Sequence, residues 1–118
     1  MIAAYNTALT GLQAFGTKLQ ANGNNIANAN TDSFKKSVVT NSEVAPLGVK
    51  AEVYKNSTRG PESLPPAGTA QEIPVELSTV DLATELVDMK VNSTLYKANL
   101  KTIETVNDMT GTLLQLKS

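Results

Sequence analysis

The stretch Asn22–Phe34, NGNNIANANTDSF, decides how this chain is read. It places five Asn within nine residues, from Asn22 to Asn30. Asn forms helix poorly and favours caps and turns, because its amide competes for nearby backbone groups. A cluster of Asn therefore ends a helix near Asn28–Asn30. It also presents side chains that both donate and accept hydrogen bonds, a chemistry suited to bonding an identical neighbour without charge repulsion. Thr31 and Asp32 continue the turn, and Phe34 supplies an apolar anchor. Taken alone, the same stretch equally fits a plain polar helix end and linker.

Upstream, Ile2, Tyr5, Leu9, Leu12, Leu19 and Ile26 follow the three-and-four spacing of a heptad seam. Gly16 and Gly23 occupy the missing seam positions. Glycine inside a helix costs about 1 kcal/mol relative to Ala. It is tolerable where another backbone packs close, or where the helix is weak alone. Lys18 is the only charged side chain before Asp32, so this helix is poorly solvated outside an assembly. Residues 1–30 are expected to form an N-terminal helix.

Residues 31–79 change character and hold all five prolines. Gly48–Tyr54 alternates apolar Val49, Ala51 and Val53 with Lys50 and Glu52, the pattern of a half-buried strand. Asn56–Gly68 is turn and loop material. Ile73–Leu77 reads as a second short strand, confined by Pro74 to an edge. Residues 80–118 form the third zone, opened by the helix-start signal Ser78-x-x-Asp81. Apolar residues recur at Leu82, Leu86, Met89, Tyr96, Leu100 and Ile103, with Ser93 in the gap. The pattern continues at Val106, Met109, Leu113 and Leu116 after a one-residue slip. Asp81, Glu85 and Asp88 precede Lys90, Lys97, Lys101 and Lys117, the order a helix dipole favours. The expected fold is mainly α: long N- and C-terminal helices pairing antiparallel as a coiled-coil-like hairpin. A small β/loop segment joins them, and the whole is one domain.

Composition narrows function. Aromatic residues are 4% of the 118, with no Trp, which suits helix–helix seams better than a thick globular centre. Net charge is −1, divided as +2 over residues 1–36, −2 over 37–80 and −1 over 81–118. No region offers the basic face that nucleic acid requires. The chain has neither Cys nor His, which removes thiolate chemistry, disulfides, the commonest general base and the commonest metal ligand. Asp81, Glu85 and Asp88 share a helix face as a metal site would, but fit a helix start tuned to its dipole better. No catalytic, cofactor or metal site is expected, nor a small-molecule substrate. No run approaches the roughly 20 apolar residues of a membrane span. Met1–Gln20 lacks the basic start of a cleavable signal. Asn56-Ser57-Thr58 and Asn92-Ser93-Thr94 match a glycosylation pattern and are read as chance.

Asn25-Ile26-Ala27-Asn28-x-Asn30-Thr31-x-Ser33-Phe34 resembles the N-terminal signature of the bacterial flagellar axial proteins, the rod and hook family. The C-terminal segment resembles the same family independently. It reads VDLATELVDM over Val80–Met89, then Tyr96-Lys97-Ala98-Asn99, Asp108-Met109 and Leu113-Leu114. The resemblance implies a structural subunit of the flagellar basal-body rod, exported through the flagellar type III apparatus without a cleavable signal. It implies polymerisation through the terminal helices with copies of itself and other axial proteins. Ser33 stands where many relatives have Gly. The middle segment is too short for the β domains inserted in distal rod and hook members, so the chain is most like a proximal rod protein, with a hook or distal-rod relative as the alternative. The expected assembly surface comprises Leu9, Leu12, Leu19, Asn22, Asn25, Ile26, Asn28, Asn30, Thr31 and Phe34. On the C-terminal side it adds Leu82, Leu86, Met89, Tyr96, Asn99, Leu100, Ile103, Met109 and Leu113. A helical export chaperone or adaptor is the rival from a different class.

Overall fold

The computed structural model of the chain describes residues 1–68, 70 and 73–118. In chain order it contains α1 (Ile2–Ala27), β1 (Ser37–Glu43), β2 (Val49–Lys55), β3 (Glu62–Ser63), β4 (Val75–Glu76) and α2 (Leu82–Lys117). The principal extents are 83 × 24 × 15 Å and the radius of gyration is 21.1 Å. A compact domain of this length has a radius of gyration of about 13 Å, so the molecule is a rod-like hairpin.

The two helices run antiparallel. Asn22 lies against Glu85 and Asn92, Gly11 against Asn99, and Met1 against Thr110. On α1 the pairing face is not the stripe of large aliphatic residues that the heptad spacing predicts, whereas on α2 Met89, Tyr96 and Ile103 of the predicted stripe lie half-buried along it. On α1 the buried residues are Ala8, Gly11, Ala14, Asn22 and Asn25, and on α2 they are Glu85 and Asn92. At 3.6 residues per turn, the predicted α1 stripe lies roughly a quarter to a third of a turn away from its buried positions. Small and polar residues let the two backbones approach closely, which bulky Leu side chains would prevent. Gly11 marks the tightest approach: a Cβ there would sit 2.8 Å from Asn99 Oδ1. Of the two glycines expected in the seam, Gly16 faces the Tyr96 ring and Gly23 faces open space.

β1 and β2 form an antiparallel ribbon with Ser37 opposite Lys55 and Glu43 opposite Val49. The sequence pattern anticipates β2 but not β1, whose SVVTNSE lacks a clean apolar alternation. The ribbon lies along α1, fixed near both its ends. The Val49 N–H donates to Thr10 Oγ1 at 3.2 Å, and the Asn25 side chain holds Ser37. Fifteen residues of helix separate Thr10 from Asn25, about 22 Å. Seven residues of strand span about 23 Å, so ribbon and helix match in length.

A smaller clasp joins the end of α1 to the start of α2. β3 pairs with β4, Glu62 opposite Glu76 and Ser63 opposite Val75. The Ser33 N–H donates to the Glu76 carbonyl at 2.8 Å, and the Thr79 N–H to the Phe34 carbonyl at 3.0 Å. Glu76 accepts from Lys35 Nζ and, at 2.6 Å, from the Gly60 N–H. Those two donors, the Lys35 ammonium first, hold the Glu76 carboxyl below its ordinary pKa. Gly60 has no room for a side chain, because a Cβ would lie 2.4 Å from the Leu77 carbonyl oxygen. Ser33 adopts φ 58°, the left-handed region that favours glycine.

α2 begins at Leu82 rather than near residue 80. Asp81 is its N-cap and Oδ1 accepts from the Ala83 N–H at 3.2 Å, so the cap is the Asp of the Ser-x-x-Asp signal. Ser78 instead accepts from the Val80 N–H one turn earlier. The Thr84 hydroxyl also donates to Asp81, and this bond, with the helix-start N–H groups, lowers the Asp81 pKa. The carboxylates Asp81, Glu85 and Asp88 are thus divided between a cap, the helix seam and the surface. Among the described residues no acidic, His or Cys cluster is arranged to hold a metal ion.

Candidate assembly surface

The Asn cluster does its bonding inside the chain at two points. Asn25 is 1% exposed. Its Nδ2 donates to the Ser37 carbonyl and its Oδ1 accepts from the Ser37 N–H, both at 2.8 Å. The Asn56 N–H donates to the Lys36 carbonyl. Ser37 and Lys55 therefore form the adjacent non-hydrogen-bonded pair, in which backbone groups point away from the partner strand. The Asn25 amide takes the place of a third strand there.

Asn22 links the two helices of the hairpin. Its Nδ2 donates to Glu85 Oε2 at 2.8 Å, and its Oδ1 accepts from Asn92 Nδ2 at 2.9 Å. All three residues are buried. A buried polar group at one seam position fixes the register of paired helices, because sliding leaves it unsatisfied. Asn28 ends α1 as the sequence leads one to expect: its Nδ2 donates to the Asn24 carbonyl, and Thr31 Oγ1 donates to Asn28 Oδ1.

The remaining expected surface residues are spread over the hairpin. Met89, Tyr96, Asn99 and Ile103 are half-buried along the seam. Leu9, Leu12, Leu19, Ile26 and Phe34 are half-buried beside it. Asn30 and Thr31 are exposed in the turn. Leu82, Leu86, Leu100, Met109 and Leu113 are exposed, as are Val87, Val91, Leu114 and Leu116, the last at 79%. Among the described residues, the fully buried apolar side chains are Ala8 and Ala14 alone. The periodicity located the aliphatic stripes but missed the clasp residues Glu76, Gly60 and Thr79. The only sequence signals for these are a glycine beside Pro61 and an acid within an apolar strand.

A helix that is apolar on most of its circumference is made to be covered. The charged residues of α2 include a narrow exposed strip, Lys90, Lys97, Lys101, Glu104 and Asp108, in which Lys101 and Glu104 pair at 2.9 Å. The Glu104 carboxylate raises the Lys101 pKa. No helix among the described residues is long and apolar enough to cross a membrane. The accessible surface of the chain is 8252 Å², against about 6,200 Å² for a compact monomer of this mass.

These features define a class: an elongated, two-helix hairpin that keeps many of its large aliphatic residues exposed. Family comparison specifies it further. The family described as flagella basal body rod protein matches residues 6–35, and that described as flagellar basal body rod FlgEFG protein C-terminal matches residues 75–116. The chain belongs to the flagellar basal body rod protein family. Members of this family are structural, so the chain is not an enzyme. No curated protein matches it. The two matched segments contain most of α1 and of α2, and the ribbon lies in the unmatched stretch between them.

Proposed function

We propose that the chain is a structural subunit of the bacterial flagellar basal-body rod, closest to the proximal rod proteins. It polymerises through its terminal helices, with copies of itself and other axial proteins, into a helical assembly that transmits torque. The observation that carries this reading is the inverted burial of the hairpin: polar and small residues inside, long aliphatic residues outside, on the two segments that match the rod family. The short span between the helices, a ribbon and a clasp, supports a proximal position. A hook or distal-rod relative is the second reading, favoured by a C-terminal match whose description groups several members of the family.

The export route is the flagellar type III apparatus, delivering the chain to a periplasm-spanning rod. Folding of α1 is coupled to polymerisation. α1 has no side-chain N-cap bond, no acid in its first turn and no base in its last, so it has little stability of its own. Deletion of residues 1–34 is expected to abolish rod assembly and motility, and normal motility would remove the proposal. Circular dichroism on dilute monomer tests the coupling. Helicity rising with concentration is expected, and full helicity at every concentration would refute it.

A further inference from the structure

We propose that Asn22-Gly23 is a deamidation site that the folded hairpin masks, so that chains left unfolded lose the polar seam and with it the means to assemble. The site itself rests on sequence and geometry, and its effect on assembly rests on the polymerisation reading above. Of the Asn residues in the chain, only Asn22 precedes a glycine. In a flexible chain, the backbone nitrogen of the following residue attacks the Asn side-chain carbonyl carbon, and a glycine has no side chain to obstruct the approach. A bond forms between the Gly23 nitrogen and Asn22 Cγ, the Cγ–Nδ2 bond breaks, and ammonia leaves with the proton that the Gly23 nitrogen gives up. Water then opens the cyclic imide at either carbonyl, giving Asp or its β-linked isomer.

The hairpin blocks this reaction. Both residues lie within α1, where a ψ of about −42° keeps the Gly23 nitrogen from the side-chain carbonyl and the helix ladder engages its N–H. Asn22 is 7% exposed. Its Nδ2 donates to Glu85 and its Oδ1 accepts from Asn92, so the amide cannot turn toward its own backbone without breaking both bonds. Conversion therefore passes through chains in which α1 has opened, at a rate set by the open fraction. Packing does not demand the glycine. A Cβ at Gly23 would meet nothing within 4 Å, and Ala would favour the helix. What Gly23 brings is a weaker helix and a labile neighbour, and both act before other subunits hold α1 in place.

The product cannot rebuild the seam. An Asp at position 22 sets a carboxylate oxygen where Nδ2 stood, 2.8 Å from Glu85 Oε2. Two buried anions then face each other and the donor between them is gone. The lysines that line the adjoining cleft, Lys18 and Lys36, are already offset there by Glu85 and Asp88, so no net positive charge receives the new carboxylate. The β-linked isomer adds a carbon to the main chain and interrupts the helix ladder. Either product removes the group that sets the register, and an aged, unassembled chain drops out of the supply of competent subunits.

The test ages the full-length chain at mildly alkaline pH in two states, denatured in guanidinium and concentrated in its helical form. Peptide mass spectrometry reads conversion at every Asn, circular dichroism the helicity, and sedimentation the polymer. Asn22 is expected to react first in guanidinium, and at least about tenfold more slowly when helical, the effect of an open fraction of about one-tenth. Gly23→Ala, for which the structure has room, is expected to bring Asn22 down to the rate of the other Asn residues in guanidinium. Asn22→Asp is expected to lose helicity and sedimentation, and Glu85→Gln added to it to restore both, because an amide again faces a carboxylate. Equal rates in the two states, or another Asn reacting first in guanidinium, would overturn the masked site. An Asn22→Asp chain as helical and as polymeric as wild type would overturn the loss of assembly. A double variant that stays unfolded would overturn the facing carboxylates as its cause. Chains protected when helical that never sediment would support the masked site and overturn the polymerisation reading.

Discussion

Asn25 is the residue whose removal the geometry weighs most clearly. Asn25→Ala deletes two hydrogen bonds of 2.8 Å at a position 1% exposed. It also leaves the Ser37 N–H and carbonyl without a partner, and each such orphan costs about 1–3 kcal/mol when buried. Ser37 is half-buried, so water recovers part of this, and a loss of about 2–4 kcal/mol is expected. With Ala8 and Ala14 as the buried apolar side chains, the chain has little reserve against such a loss. Asn25→Asp separates the two bonds. It keeps an acceptor for the Ser37 N–H but sets a carboxylate against the Ser37 carbonyl. At neutral pH it should therefore be at least as damaging as Asn25→Ala. Protonation supplies the missing donor, so its stability should rise relative to wild type as pH falls.

The assay is urea unfolding followed by circular dichroism under conditions where the chain is helical, with hydrogen exchange read at the Ser37 amide. The expected pattern is a lower midpoint, fast exchange at Ser37, and near-native exchange at the α2 amides around Thr102–Val106, which the ribbon does not approach. A change below about 0.5 kcal/mol, the range typical of surface substitutions, together with unchanged protection at Ser37, would refute the account of Asn25 as a surrogate strand.

Two further perturbations follow from the clasp. The Glu76 pKa is lowered by Lys35 and by the Gly60 N–H, so its folded value lies below its unfolded one. Its contribution is complete above the unfolded carboxylate range and is lost as pH falls through the depressed folded value. Protection of the Gly60 amide should fall in that acidic window, whereas Glu76→Gln should abolish the pH dependence. Ser33→Gly should stabilise the chain slightly. It relieves about 1 kcal/mol of left-handed strain against several tenths lost to unfolded-state entropy, and a small rise in melting temperature is the measurement. A fall would mean that the Ser33 side chain contributes something the geometry does not reveal.

Much of the architecture was legible in the sequence because helices announce themselves over many residues. The heptad spacing marked both, and the Asn run stopped α1 where Asn28 caps it. The seam was legible only in part: Met89, Tyr96 and Ile103 of α2 lie along it, but the α1 face does not follow the aliphatic stripe. Periodicity assigns large aliphatic residues to the nearest interface, but the hairpin pairs through Ala8, Gly11, Asn22 and Asn92, whose pattern carries little hydrophobic signal. Interior and intermolecular faces look alike in a sequence when both repeat every 3.5 residues. β1 was missed for a different reason. Its position depends on Asn25, twelve residues upstream, rather than on its own composition. The clasp depends on backbone bonds among Ser33, Pro61, Glu76 and Thr79, which leave no period at all.

The same inversion separates two tasks that a globular core usually combines. In the hairpin, alignment comes from Asn22, Glu85 and Asn92, and a shift of one turn would strand a buried carboxylate and two amides. Such groups specify a register more than they add stability. Burial energy lies elsewhere, on Leu82, Leu86, Leu100 and Leu113, each exposed in the single chain. A fully covered Leu is worth about 1.5–3 kcal/mol, so covering even a few exceeds what Ala8 and Ala14 supply. On the proposed reading, a subunit threaded through an export channel benefits from this division. The polar ladder sets how the two helices align, and the neighbours supply the energy that keeps them aligned. A hairpin built the usual way, with leucines inside, would be more stable alone and would have less to gain from the rod.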